Sequence, residues 1–396
     1  MERVVGVIAR GLRAPIIKEG DNIREIVTET VLKASKAEGF KIQDRDIIGI
    51  TESVVARAQG NYADIDAISQ DISDKFGNDT IGVIFPILSR NRFAVCLRGI
   101  AKGARKIVLM LNYPSDEVGN HLVDADLLDE KGINPYTNVL TEKQFRECFG
   151  YHKHTFTGVD YIEYYKSIAE ESGTPCEVIF SNNAGTILEY TKSVLACDIH
   201  TRKRTKRILR ESGAQKVYSL DEILTSPVNG SGYNEQYGLL GSNKATETSV
   251  KLFPRNCQEL VDGIQKDIKE KTGKTVEVLV YGDGAFKDPV GKIWELADPV
   301  VSPGYTKGLE GTPHEVKIKY LADNDFANLK GEELEKAISE YIRKKQSKPA
   351  DDMASQGTTP RRLTDLIGSL CDLTSGSGDK GTPIVYIQNY FDSFSE

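Results

Sequence analysis

Two stretches of this chain carry residue types and spacings that could do chemistry. In "VLVYGDGAF" a run of strand-forming residues ends in Gly282-Asp283-Gly284. A carboxylate placed there stands at the carboxyl edge of a sheet, where α/β folds bind ligands. Asp283, flanked by glycines that allow close backbone approach, suits Mg²⁺ or Mn²⁺, hard cations that take oxygen ligands and keep substrate phosphates in their shell. The alternative is an Asp in an ordinary turn. In "LTSGSGDKGTPIVYIQ" (373–388), the residues Gly376, Ser377, Gly378, Asp379, Lys380 and Gly381 form a loop directly before the last apolar strand. Glycine has the most backbone freedom to lose. Such a loop is therefore either a slack turn or one whose backbone N–H groups approach a phosphate closely.

Other segments add chemistry of lower specificity. "GLRAPIIKEGDNI" (11–23) joins strand to helix through Arg13, Pro15 and Lys18, and "TESVVARAQGNY" (51–62) offers Glu52, Ser53 and Arg57 after a buried strand. "NYPSDEVGNHLVD" places Asp116, Glu117 and Asn120 after an apolar strand. "CDIHTRKRTKR" places Asp198 and His200 at a strand end, followed by Arg202, Lys203, Arg204 and Arg207. The basic run reads either as an anion-recognising helix start or as a solvated helix face. His121, His152, His154 and His314 show no metal-ligand spacing.

These residues need elements to position them. Helical spacing covers 22–39, ending in Gly39 as a stop, and also 63–76, 202–213, 259–273 and 361–372. Further helices are expected near 141–149, 160–173 and 330–345, and strands at 3–9, 45–51, 80–86, 104–112, 176–182, 193–199, 275–286 and "PIVYIQ". Strands alternating with helices predict a parallel, doubly wound unit at about 87–230. "VNGSGYNEQYGLLGSN" (228–243) reads as a crossing point, and 344–360 as a linker.

A length of 396 residues sets two or three domains as the expectation. A formal net charge of −7 disfavours nucleic acid as a partner, while leaving room for a small phosphorylated ligand. The six cysteines form no CxxC pair, which argues against a zinc ribbon or a disulfide framework and fits a reducing compartment. "MERVVGVIARG" reads as a strand and not a signal peptide. No run reaches the ~20 apolar residues of a membrane span. The expected location is the cytoplasm, with no membrane partner.

Taken together, "GLRAPIIKEGDNI", "DIIGITESVVARAQG", "YGLLGSNKA", "GKTVEVLVYGDGAF" and "LIGSLCDLTSGSGDKGTPIV" resemble, in order and spacing, the coenzyme F-420 gamma-glutamyl ligase family. The resemblance covers roughly half the chain. It implies an α/β (α+β) fold whose mixed-sheet core, 1–86 and 231–396, agrees with the family once 87–230 is treated as an insertion; the alternation above reads that insertion as a doubly wound α/β domain, a candidate for substrate recognition. It further implies an amide ligase that joins L-glutamate, or another amino acid, to a carboxylate through an acyl phosphate. GTP would be the co-substrate, with ATP as the alternative, and Mg²⁺ or Mn²⁺ the metal. A homodimer is expected.

By the same resemblance, Leu12, Arg13, Ala14, Pro15, Ile16, Glu52 and Ser53 line the nucleotide, and Asn243 contacts it. Arg57 stands where the family has Lys. Asp283 is a metal-binding and catalytic candidate with Arg57, and Gly284 supplies a backbone carbonyl. The loop Gly376–Gly381, with Asp379, reaches the metal-bound triphosphate. Two positions depart from the family: Leu240 replaces a metal-binding Asp, and Ser377 replaces an acidic loop residue. Asp116 is the candidate substitute ligand. A non-catalytic nucleotide-binding homologue remains the alternative that Leu240 keeps open. A dinucleotide-dependent oxidoreductase would need a Gly-x-Gly-x-x-Gly turn, which "LMLNYPSDEVGN" lacks.

Overall fold

The computed structural model describes residues 4–154, 157–282, 285–287, 294–296, 301–313, 315–345, 362–375 and 378–395. The chain is a mixed α/β protein that divides into two compact units. One comprises Met1–Val55, Asn256–Phe286 and Glu295–Glu396; the other comprises Ala56–Arg255 with Lys287–Trp294.

The first unit is built on a five-stranded sheet in the order Ile8–Leu12, Ile384–Gln388, Ile47–Thr51, Glu277–Gly282, Val301–Tyr305. Only Ile47–Thr51 and Glu277–Gly282 pair in parallel; the other neighbours are antiparallel. Both faces of the central strands are buried, so they read as unbroken apolar runs and not as alternation. Leu279, Tyr281, Ile47, Val385 and Ile387 share a cluster with Ile367 and Cys371 of the helix Leu363–Ser375. Gly49 lets that helix lie close: a Cβ there would collide with the Cys371 sulfur. The helix Ile23–Glu38 starts at Asn22, whose side chain accepts from the Glu25 N–H, and stops at Gly39 with φ of 69°. Those ends follow the sequence expectation because both capping signals are local.

The first strand is shorter than expected and begins at Ile8, not near residue 3. Its partner strand ends at Gln388, and Asn389 then turns with φ of 62°, so residues 4–7 have no ladder to join.

The second unit carries a six-stranded sheet in the order Leu140–Thr141, Cys176–Phe180, Lys106–Leu111, Thr80–Ile84, Ser193–Ala196, Lys216–Ser219. Every pairing is parallel except that of Leu140–Thr141. This is a doubly wound sheet, and its extent differs from the expected 87–230. Thr80–Ile84 lies at its centre, hydrogen-bonded to strands on both sides, so the unit starts well before residue 87. It also runs past 230, because Tyr62–Asp64 pairs with Ser249–Lys251, which in turn pairs with Asn243–Thr246. The expected linker at 344–360 lies outside the described residues from 346 onward.

Candidate functional site

The five-stranded sheet delivers four of the segments singled out above to one edge. Ile8–Leu12, Ile47–Thr51 and Glu277–Gly282 all run in the same direction, and Ile384–Gln388 and Val301–Tyr305 run against them. Register makes the ends coincide: Leu12 faces Ile384, Ile384 faces Ile50, Thr51 faces Tyr281 and Gly282 faces Val301. Arg13–Ile16, Glu52-Ser53 and Asp283-Gly284 follow those strand ends in the chain, and the loop ending at Pro383 precedes Ile384. This is the carboxyl edge of the parallel pair, where α/β sheets bind ligands.

Backbone hydrogen bonds fasten the segments to each other. The Ala14 N–H donates to the Gly381 carbonyl at 3.1 Å, and the Thr51 N–H donates to the Pro383 carbonyl at 3.1 Å. The Thr382 hydroxyl donates to the Ser375 carbonyl, closing the loop on itself. Gly381 has φ of 64°, a left-handed conformation that glycine adopts without strain. Asp379 and Lys380 are exposed on the short turn Gly378–Lys380.

Within the edge, Leu12 is buried and Ala14 partly so, whereas Arg13, Pro15 and Ile16 face solvent. Glu52 is buried where it opens the helix Glu52–Ala58, and Ser53 beside it is exposed. The Cys257 thiol is pushed up to about 12, first by burial and then by the charge of Glu52. Tyr281 is fully buried, and burial raises its hydroxyl so that it stays protonated. Tyr281 and Thr51 were not singled out from the motifs. The available signal was Tyr281's place directly before Gly282-Asp283.

Asp283, Gly284, Gly376 and Ser377 lie outside the described residues. Arg57 and Asn243 belong to the second unit. Arg57 is exposed on its helix, and Asn243 is half-buried opposite Lys251. Leu240 is buried in the apolar core of that unit.

Asp116, also in the second unit, is 6 % exposed, and its carboxylate is engaged by its own loop and by Leu88. Oδ1 accepts the N–H of Val118 at 3.1 Å and of Asn120 at 2.8 Å. Oδ2 accepts the N–H of Leu88 and the side-chain amide of Asn120, both at 2.8 Å. Burial pushes this carboxyl up against those hydrogen bonds. The basic helix Arg202–Glu211 carries paired cations: Arg202 with Asp221, Lys206 with Glu222 and Arg207 with Glu211.

The residues at the first unit's edge fit a phosphate-bearing ligand in kind, with exposed Arg13 and Lys380 and a loop of small residues. For a metal, Asp379 is the exposed carboxylate described there, and no group of three or more His, Cys, Asp or Glu that could hold an ion occurs among the described residues. No helix among the described residues is long and apolar enough to cross a membrane. A family model described as F420-0:Gamma-glutamyl ligase matches residues 11–389, nearly the whole chain. No match was found among curated proteins.

Proposed function

The chain belongs to the F420-0:gamma-glutamyl ligase family, and from that premise we propose that it is a nucleotide- and divalent-metal-dependent amide ligase. It would join L-glutamate to the carboxylate of an acid substrate, with GTP as the phosphoryl donor. The observation that carries this reading is the convergence of Leu12–Ile16, Glu52-Ser53, the strand leading to Asp283 and the loop ending at Pro383 on one sheet edge. A ligase needs such a meeting point, because a carboxylate and a triphosphate repel each other and must be held together.

The chemistry runs in two displacements. The substrate carboxylate attacks the γ-phosphorus, a phosphate–oxygen bond breaks and GDP leaves with an acyl phosphate formed. The amine of glutamate then attacks the acyl carbon, phosphate leaves and the amine proton passes to a base. Arg13 and Lys380 supply cationic side chains at the edge, and Arg57 is the further cationic candidate. The Gly381 turn brings the loop's backbone toward the phosphates. Asp283, the Gly284 carbonyl and Asp379 would hold Mg²⁺ or Mn²⁺, which when bound neutralises phosphate charge. Water must be kept from the acyl phosphate. The second unit is the candidate for acceptor recognition, and a homodimer is the proposed assembly.

A non-catalytic homologue is the second reading, favoured by Leu240, which is buried among apolar side chains where the resemblance expects an Asp. The two readings part in an isotope experiment with F420-0, L-glutamate and GTP. Oxygen-18 placed in the F420-0 carboxylate should appear in the released phosphate. Release of unlabelled phosphate alone would exclude the acyl phosphate, and no turnover at all would favour the second reading.

A further inference from the structure

The sheet of the second unit reverses its winding between two strands. From Thr80–Ile84 the chain builds Lys106–Leu111 and Cys176–Phe180 to one side, then crosses to Ser193–Ala196 and Lys216–Ser219 on the other. In open parallel sheets the crevice outside the carboxyl ends at such a reversal binds ligands. Two carboxylates stand there. Asp198 lies just past the end of Ser193–Ala196, and Glu117 comes from the loop after Lys106–Leu111. Glu117 reaches across to accept the N–H groups of Ile199 and of His200, the latter at 3.1 Å. Asp198 is 2 % exposed. Its Oδ2 accepts the hydroxyls of Thr201 at 2.6 Å and Thr205 at 2.7 Å. Its Oδ1 is buried without a hydrogen-bond partner.

A buried carboxylate oxygen with no donor is costly, so the arrangement calls for a positive complement. An anion does not suit it. Glu117 already occupies the amides that precede the basic helix Arg202–Glu211, and Arg202, Lys206 and Arg207 of that helix are paired with acids. The one uncommitted atom is a carboxylate oxygen, Asp198 Oδ1, and each Glu117 oxygen, which accepts one amide, keeps a further lone pair; carboxylate oxygen is the donor type of hard divalent cations. Mg²⁺-type ions are commonly held by one or two carboxylates and complete their shell with water. We propose that Glu117 and Asp198, both of the second unit, hold a divalent cation of the Mg²⁺ or Mn²⁺ class. Its ligands come from two loops at the reversal, and bound ion ties those loops together.

The inference does not rest on the ligase reading, and its test is a binding measurement that needs no turnover. Mn²⁺ is titrated into nucleotide-free Asp283→Asn protein, with bound ion followed by electron paramagnetic resonance. A single tightly bound Mn²⁺ per chain is expected. Adding Asp198→Asn or Glu117→Gln should weaken it at least about tenfold. Melting without metal checks that each variant folds, and Asp198→Asn should not lower the metal-free Tm, because it removes an unpaired buried charge. Mn²⁺ binding that neither substitution changes, or no Mn²⁺ bound at all, would overturn the proposal. Crystals of the unmutated protein soaked in Mn²⁺ give a readout independent of variant folding. An anomalous peak at the two carboxylates supports the site, and a map featureless there contradicts it.

Discussion

At the scale of single residues, the charged groups of this protein fall into those that hold the fold and those free to meet a ligand. Arg146 and Asp160 are of the first kind. Two hydrogen bonds of 2.6 and 2.9 Å join them, and both side chains are about nine-tenths buried. Asp160 also caps the helix Tyr161–Glu171 by accepting the N–H groups of Ile162 and Glu163. Burial alone would raise its carboxyl, but the Arg146 hydrogen bond and the helix N–H groups outweigh it, and the net shift is downward. A lowered carboxyl stabilises the fold above the unfolded value of about 3.9, and that contribution is lost as pH falls through the folded value. Asp160→Asn keeps a capping oxygen but strands Arg146, and should destabilise by about 3–5 kcal/mol at neutral pH. Urea unfolding at pH 7 and at pH 3 should show the gap to the unmutated protein shrinking in acid; a gap independent of pH would refute the assignment. Asp283 is expected to behave in the opposite way. Asp283→Asn should unfold at the same urea concentration as the unmutated protein while losing most turnover at limiting metal. Near-normal turnover there would remove it from the site.

At the scale of elements, the site depends on a loop whose backbone is unusual at one point. Gly381 sits at φ of 64° while its carbonyl accepts from Ala14. Gly381→Val forces a side chain into the left-handed region, at about 1–2 kcal/mol, and should displace the loop from Leu12–Ile16. Calorimetric titration with GTP should show weaker binding, and unchanged affinity would reduce the loop to a plain turn. Much of this element-level picture was legible beforehand. Gly39 and the run "TVEVLVYGDGAF" carry their signals within a few residues, and turn and cap chemistry is local. The limits of the second unit were not legible. Thr80–Ile84 has the same apolar texture as the first unit's strands, and only its hydrogen bonds to Lys106–Leu111 and Ser193–Ala196 assign it. Tyr62–Asp64 and Ser249–Lys251 are three residues each, too short to show a period. The meeting of "YPSDEVGN" with "CDIH" was equally hidden, since Glu117 finds the Ile199 and His200 amides only once the parallel sheet has formed.

At the scale of the whole molecule, the family match from residue 11 to 389 spans both units, so the doubly wound unit falls inside the family's extent. Each unit has its own sheet, its own core and its own carboxyl edge carrying acidic residues. The first unit's edge is the proposed ligase site, and the second unit's edge carries the proposed cation site. The central proposal is nucleotide-dependent amide bond formation. It is tested most directly by incubating the purified chain with GTP, Mn²⁺, F420-0 and L-glutamate while following product mass and phosphate release together. The expected product is heavier by one glutamyl residue, formed in step with GDP and phosphate and absent when GTP is withheld. Glutamyl transfer that does not need nucleotide, or GTP hydrolysis that L-glutamate and F420-0 leave unchanged, would contradict it.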